Sequence, residues 1–200
     1  MRITIKATFV LLLAMAAVSA RPAFAQPAST PDKPLRAELA LDYSYLRSNA
    51  PPGGCTCFNL NGGSATFAWP VKPGSFAAVG DITIGHAGAI GSGGASLTLS
   101  TFTAGARYLP RIGHSPVQAF GQVLVGLAHA SGSLVQANTP GTANAGAAFA
   151  ANLGGGLDLH ASRRLSVRLV EADYLLTTVD NGTNNHQNNL RISAGVVIHF

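Results

Sequence analysis

Apolar and polar residues alternate one for one early and late in this chain. Between residues 36 and 48, Leu39, Leu41, Tyr43 and Tyr45 share one parity, and Glu38, Ala40, Asp42 and Ser44 share the other. Successive side chains of a strand point to opposite faces, so a period of two predicts a β-strand with one apolar face. The pattern returns at the other end, where Leu190, Ile192, Ala194, Val196, Ile198 and Phe200 oppose Arg191, Ser193, Gly195, Val197 and His199.

Six further strands are predicted between these two, over residues 64–71, 74–85, 95–109, 116–130, 146–160 and 165–179. Gly-, Asn- and Ser-rich connections at 49–63, 86–94, 131–145 and 180–189 alternate with shorter ones at 72–73, 110–115 and 161–164. Eight strands joined by alternately long and short links fit an antiparallel up-and-down transmembrane β-barrel, with brief turns on one side of a membrane and longer loops on the other. Residues 95–109 break the pattern, because Leu97 and Leu99 have the opposite parity to Phe102, Ala104 and Tyr108. A bulge, or extension of the strand above the membrane, would reconcile them.

Composition makes membrane burial the natural reading. Hydrophobic residues are 47% of the chain and charged ones 10%, against about 25% charged in soluble domains. After the first 25 residues no apolar run approaches the roughly 20 residues of a membrane-spanning helix. Without helices, only a closed sheet pairs every backbone N–H and C=O inside hydrocarbon.

The first residues have export chemistry. Arg2 and Lys6 precede an apolar stretch too short to span a bilayer, and Ala23-Phe24-Ala25 forms a small-x-small site before Gln26. The predicted organisation is a signal peptide over 1–25, cleaved after Ala25, a flexible periplasmic leader over 26–35, and a β-barrel over 36–200. Removing the signal peptide takes away Arg2, Lys6 and Arg21 and no acid, leaving 10 basic residues against 8 acidic ones. With no basic stripe, nucleic acid is excluded as a partner.

Most remaining charges fall inside strands, on the less apolar parity. Glu38, Asp42, Asp81, Asn152, Asp158, Glu171 and Asp173 are predicted to line a polar lumen, with Arg107 and Arg191 as counter-charges. Trp69, Phe76, Tyr108 and Phe200 would mark one membrane interface, and Tyr45, Phe149 and Tyr174 the other.

From residue 36 to Phe200 the chain resembles the small outer-membrane β-barrel family, the OmpA/OmpX-type or porin-family barrels. The most specific part is Asn189-Leu-Arg-Ile-Ser-Ala-Gly-Val-Val-Ile-His-Phe200. It looks like the terminal strand that the outer-membrane assembly machinery recognises, Phe200 being the assembly signal. Glu171-Ala-Asp-Tyr-Leu-Leu-Thr177 and Cys55-Thr-Cys-Phe-Asn-Leu-Asn-Gly-Gly63 resemble a porin-family subgroup of environmental Gram-negative bacteria. The resemblance implies residence in the bacterial outer membrane and contact with its lipid.

Other motifs have modest readings. Cys55 and Cys57 lie in the first long connection, where an oxidising exterior favours a local disulfide. So close a bridge is strained, which leaves an intermolecular link or a metal as alternatives. His129-Ala130-Ser131 resembles the His-x-Ser element of an outer-membrane lipid A deacylase, yet no Asp or Glu occurs between Asp81 and Asp158 to orient the imidazole. His86, His114, His160, His186 and His199 are dispersed without ligand spacing and read as solvated. The glycines at 91–94 and 154–156 read as loop and curvature.

These observations predict a non-enzymatic barrel without cofactor, whose interior is filled by side chains. Its role is structural or surface-interacting, in envelope integrity or adhesion, with an extracellular ligand contacted through residues 49–63 and 131–145. A narrow channel for ions or small molecules is the alternative, and a lipid-modifying hydrolase the weakest reading.

Overall fold

The computed structural model describes residues 36–48, 57–72, 75–90, 94–110, 115–132, 147–179 and 186–200. The expected signal peptide, the whole of the leader, and Cys55 lie outside these. The described residues form eight strands: β1 (Glu38–Ser48), β2 (Phe58–Lys72), β3 (Phe76–Ile90), β4 (Ala95–Tyr108), β5 (Val117–Ser131), β6 (Ala148–His160), β7 (Leu165–Thr177) and β8 (Gln187–His199). Each pairs antiparallel with the next, and β1 pairs with β8 from Glu38↔His199 to Ser48↔Asn189 to close the barrel. No helix among the described residues is long and apolar enough to cross a membrane.

Three strands run further than the sequence pattern suggested, β8 beginning at Gln187 rather than 190. β2 begins at Phe58 rather than 64, and β3 continues to Ile90 rather than 85, so only residues 91–94 separate β3 from β4. The physical reason is an interior apolar cluster at this end of the barrel, where Leu46, Leu60, Ala87, Ile90, Leu99 and Leu175 are buried together. Leu60 and Ile90 belong to it, and their Asn- and Gly-rich surroundings disguised them as loop. The same cluster resolves the parity of β4. Its register with β5 is unbroken from Thr98↔Ser131 to Tyr108↔Gly121, with no bulge, and Leu99 points inward while Phe102, Ala104 and Tyr108 point out.

The expected dyad pattern of β1 and β8 is present as inside–outside alternation. Leu41, Phe67, Ile82, Phe102, Val125, Leu153 and Ile192 are all large, apolar and exposed on the outer wall. Above them, toward the apolar cluster, the outward residues change to Arg47, Asn59, Asn61, His86 and His129. At the end that carries residue 38 and residue 200, Trp69, Phe76, Tyr108 and Phe200 are exposed, with the Phe76 and Tyr108 rings 5.1 Å apart. Tyr43 and Tyr174 stand on the wall with their hydroxyls donated to Asn61 and Asn188.

Candidate functional site

The interior between the two ends holds the charged residues. Asp42 (β1), Asp81 (β3), Arg107 (β4), Asn152 and Asp158 (β6), Glu171 and Asp173 (β7) and Arg191 (β8) are all buried there, and Glu38 lines the mouth at the terminal end. Period-two strands bring these side chains to one face, and closure converts that face into a lumen.

Arg191 is held by three carboxylates. Its Nε and Nη2 donate to Asp173 Oδ2 at 2.9 and 2.6 Å, Nη2 to Glu171 Oε1 at 2.7 Å, and Nη1 to Asp81 Oδ1 at 2.9 Å and to the Thr83 hydroxyl. Thr66 and Thr83 hydroxyls donate to Asp81 at 2.8 and 3.0 Å. Arg107 lies deeper toward the mouth, donating from Nε and Nη2 to Gln122 Oε1 at 3.1 and 2.8 Å, with Glu38 at 3.8 Å. Gln122 passes the connection on, its Nε2 donating to Glu171 Oε1 at 3.0 Å.

The centre of the network is a residue that the alternation did not single out. Arg168 donates from Nε and Nη2 to Asp158 at 2.9 and 3.2 Å, and from Nη1 to Asp42 Oδ2 at 3.1 Å and Glu171 Oε2 at 2.7 Å. Arg168 and Glu171 have opposite parity in sequence, and a bulge lets both face inward. Arg168 pairs with Gly195 and Glu171 with Ser193 on β8, so Leu169 and Val170 together oppose Ala194 and both turn outward. Glu171 thereby bridges Arg168 and Arg191.

Two glycines make room for this layer. Gly154 and Gly156 are inward positions of β6; a Cβ on Gly154 would fall 2.0 Å from Asp173 Oδ1, and one on Gly156 2.7 Å from the Phe120 ring. The Phe120 ring in turn lies under both Arg107 and Arg168, 4.1 and 4.7 Å from their guanidinium carbons. The triplet thus supplies lumen space, which curvature alone had not implied.

At the mouth, closure assembles a second hydrogen-bonded group from four strands. His160 Nδ1 lies 2.8 Å from Ser166 Oγ, Ser166 Oγ 2.7 Å from His199 Nε2, and His199 Nδ1 3.4 Å from Glu38. His160 and His199 are therefore not simply solvated, as their dispersal in sequence suggested. The order acid–imidazole–hydroxyl matches a nucleophilic triad, but Ser166 is wholly buried under the two rings, and a substrate carbonyl could not reach its Oγ. His129 and Ser131 face outward from β5, while every carboxylate among the described residues lines the interior or its mouth. Cys57 is exposed just before β2 as a free cysteine; Cys55, its partner in the expected local disulfide, lies outside the described residues. Among the described residues no group of three or more His, Cys, Asp or Glu side chains could hold a metal.

Three guanidinium groups lie across the barrel, each only 1% exposed. Seven of the residues above them toward the loop end form an apolar stopper: Leu46, Leu60, Ile90, Leu99, Ala128, Ala130 and Leu175. A closed sheet that is apolar outside, charged within and filled across its width has the construction of a small transmembrane β-barrel.

Comparison with known proteins agrees at the level of fold. No family model matches the sequence, and no curated protein is similar to it. Among solved structures the barrel is similar to neisserial surface protein A (NspA), with a TM-score of 0.62 and 14% identity over 82% of this chain and 97% of that one. It is also similar to Ail, the attachment invasion locus protein of Yersinia pestis (TM-score 0.53, 17% identity, 83% and 100% covered). The outer membrane protein OprG from Pseudomonas aeruginosa is a third such structure (TM-score 0.52, 9% identity, 84% and 97% covered). The chain has the fold of the small OmpA/OmpX-type outer-membrane barrels.

Proposed function

We propose that this protein is exported, its signal peptide being cleaved after Ala25, and resides in the bacterial outer membrane. There it acts as a structural or surface-interacting barrel rather than as a solute channel. The observation that carries the reading is the sealed interior: Arg107, Arg168 and Arg191 are each about as inaccessible to water as core leucines, and the apolar stopper lies beyond them. An eight-stranded barrel encloses just enough space for its own side chains, so an unbroken file of water would require dismantling several buried ion pairs.

With the lumen closed, contact with the surroundings falls to the wall and to the connections. Both ends of the described chain lie at the short-turn end, which export and insertion leave on the periplasmic side. The connections 49–63 and 131–145, of which 49–56 and 133–145 lie outside the described residues, then belong to the outer side and are the proposed contact surface for an extracellular ligand. The names of two barrels of this fold, a surface protein and an attachment invasion locus protein, accord with that general kind of role. Phe200 is exposed beside Ala37, where the assembly machinery could engage it before the seam closes.

Planar-bilayer recording of the folded barrel tests the reading directly. No stable openings are expected from the wild type. Steady conductance altered by Arg107→Ala or Asp158→Ala would replace the structural reading with the channel one. Exchanging residues 49–57 and 132–147 for short Gly-Ser turns should abolish attachment of displaying cells to host or matrix surfaces while leaving the barrel folded. Undiminished attachment would refute the loop assignment.

A further inference from the structure

The two ends of the barrel carry very different exposed charge. The four connections at the stopper end, 49–57, 91–94, 132–147 and 178–186, contain no lysine or arginine; Arg47 is the exposed arginine of that end. At the other end Arg36, Arg163 and Arg164 are exposed, and they form no ion pair among the described residues. Backbone pairing gathers them into one sector. His199 N donates to Arg164 O at 3.0 Å and Phe200 N to Ala37 O at 2.9 Å, so Arg36 and Arg164 flank the end of β8. No side-chain carboxylate among the described residues offsets this charge, since Glu38 is turned toward Arg107 and His199.

The depth of these arginines identifies a partner. Arg164 directly precedes Leu165, which is exposed on the apolar wall, and Phe200 beside it is exposed as well. One or two residues of strand advance roughly 3–7 Å, and the headgroup layer of a bilayer leaflet is about 5–7 Å deep. Strand spacing therefore sets Arg36, Arg163 and Arg164 at about headgroup depth along the barrel, with the apolar wall beginning within a residue or two. A guanidinium presents paired N–H donors that match phosphate oxygens.

We propose that the Arg36–Arg163–Arg164 sector binds anionic phospholipid headgroups of the leaflet at this end, the periplasmic one in the orientation given above. The inference rests on the membrane reading and goes beyond it by assigning lipid selectivity to one end of the barrel. A soluble anionic polymer would need the charge but not the adjoining Leu165 and Phe200, and so fits the surface less well.

Folded protein in nanodiscs, probed by electron spin resonance with spin-labelled phosphatidylglycerol or phosphatidylcholine, measures the association of each lipid with the wall. Heat-modifiable gel mobility checks that every variant is folded. The wild type should favour phosphatidylglycerol by about fivefold, the effect of about one well-placed basic residue near an anionic surface. Arg36→Gln/Arg163→Gln/Arg164→Gln should bring the ratio close to one, as should high salt, and Arg47→Gln should leave it unchanged. Equal association in the folded wild type, or a preference that survives the triple substitution, would overturn the proposal and leave the membrane reading standing. So would retention on peptidoglycan that is lost in the triple variant while the lipid ratio stays at one. A chain that fails to enter nanodiscs and remains in aqueous solution would overturn both.

Discussion

Replacing Arg168 with methionine keeps most of the side-chain volume and removes one charge from the middle of the lumen. Four hydrogen bonds of 2.7–3.2 Å disappear, and Asp158, Asp42 and Glu171 lose a guanidinium that is fully screened from water. Glu171 keeps Arg191, but Asp158 and Asp42 have no other ion-pair partner among the described residues. Breaking a buried pair while leaving its partner charged costs about 3–5 kcal/mol. At the middle of that range the folded-to-unfolded ratio falls by roughly three powers of ten. Urea unfolding of the barrel in detergent micelles measures this, followed by the emission of Trp69, the chain's single tryptophan, which is exposed on the wall. Adding Asp158→Asn to Arg168→Met removes one stranded charge, so the double variant should be more stable than the sum of the two single losses by about 1–2 kcal/mol. A single loss under about 1 kcal/mol, or strict additivity, would refute the account of Arg168 as the centre of the network.

Three further outcomes follow from the wall, the glycines and the last strand. Val125→Arg, at mid-height on the outer face, should cost about 2–4 kcal/mol in a bilayer; a neutral result would mean that this face meets water. Gly156→Leu should destabilise the barrel by about 1–3 kcal/mol, because its Cβ would press on Phe120, whereas Gly80→Ala should stay within about 0.5 kcal/mol, since nothing lies within 4 Å of that Cβ; thermal gel-shift midpoints that rank these two the other way would contradict the packing. Phe200→Asp should lower the yield of heat-modifiable barrel in outer-membrane fractions several-fold without changing the stability of refolded protein, and an unchanged yield would remove Phe200 from the assembly signal.

The strand pattern was legible because a two-sided sheet writes its faces in alternate letters. In β1 and β8 that alternation separates Asp42 and Arg191 from Leu41 and Ile192 by parity alone. It fails wherever geometry departs from the period. The Leu169–Val170 bulge shifts the parity within β7, so Arg168 has the opposite parity to Glu171 and Asp173 and the alternation does not single it out, although it faces the lumen. Leu60 and Ile90 were read as loop because their polar and glycine neighbours outweighed two inward apolar positions. The Glu38–His199–Ser166–His160 group lay beyond reach for another reason. Its members come from the ends of four strands that meet only through closure, and no local spacing records that meeting. The Gly154–Gly156 triplet was seen, but its use as space for Phe120 and Asp173 depends on β5 and β7.

The polar links inside the barrel join segments far apart along the chain: the Asp42–Arg168 ion pair spans 126 residues, the Arg191–Asp81 pair 110, and the Ser44–Ser193 hydroxyl hydrogen bond 149. Contacts of such high sequence separation form late, after the entropy of gathering the intervening chain has been lost. An incompletely wound sheet would carry its arginines and aspartates without their mates, and hydrocarbon would not accept them bare. The ionic middle thus favours an order of events in which the first and last strands meet while water still reaches the inner face, and drying follows the closing of the ring.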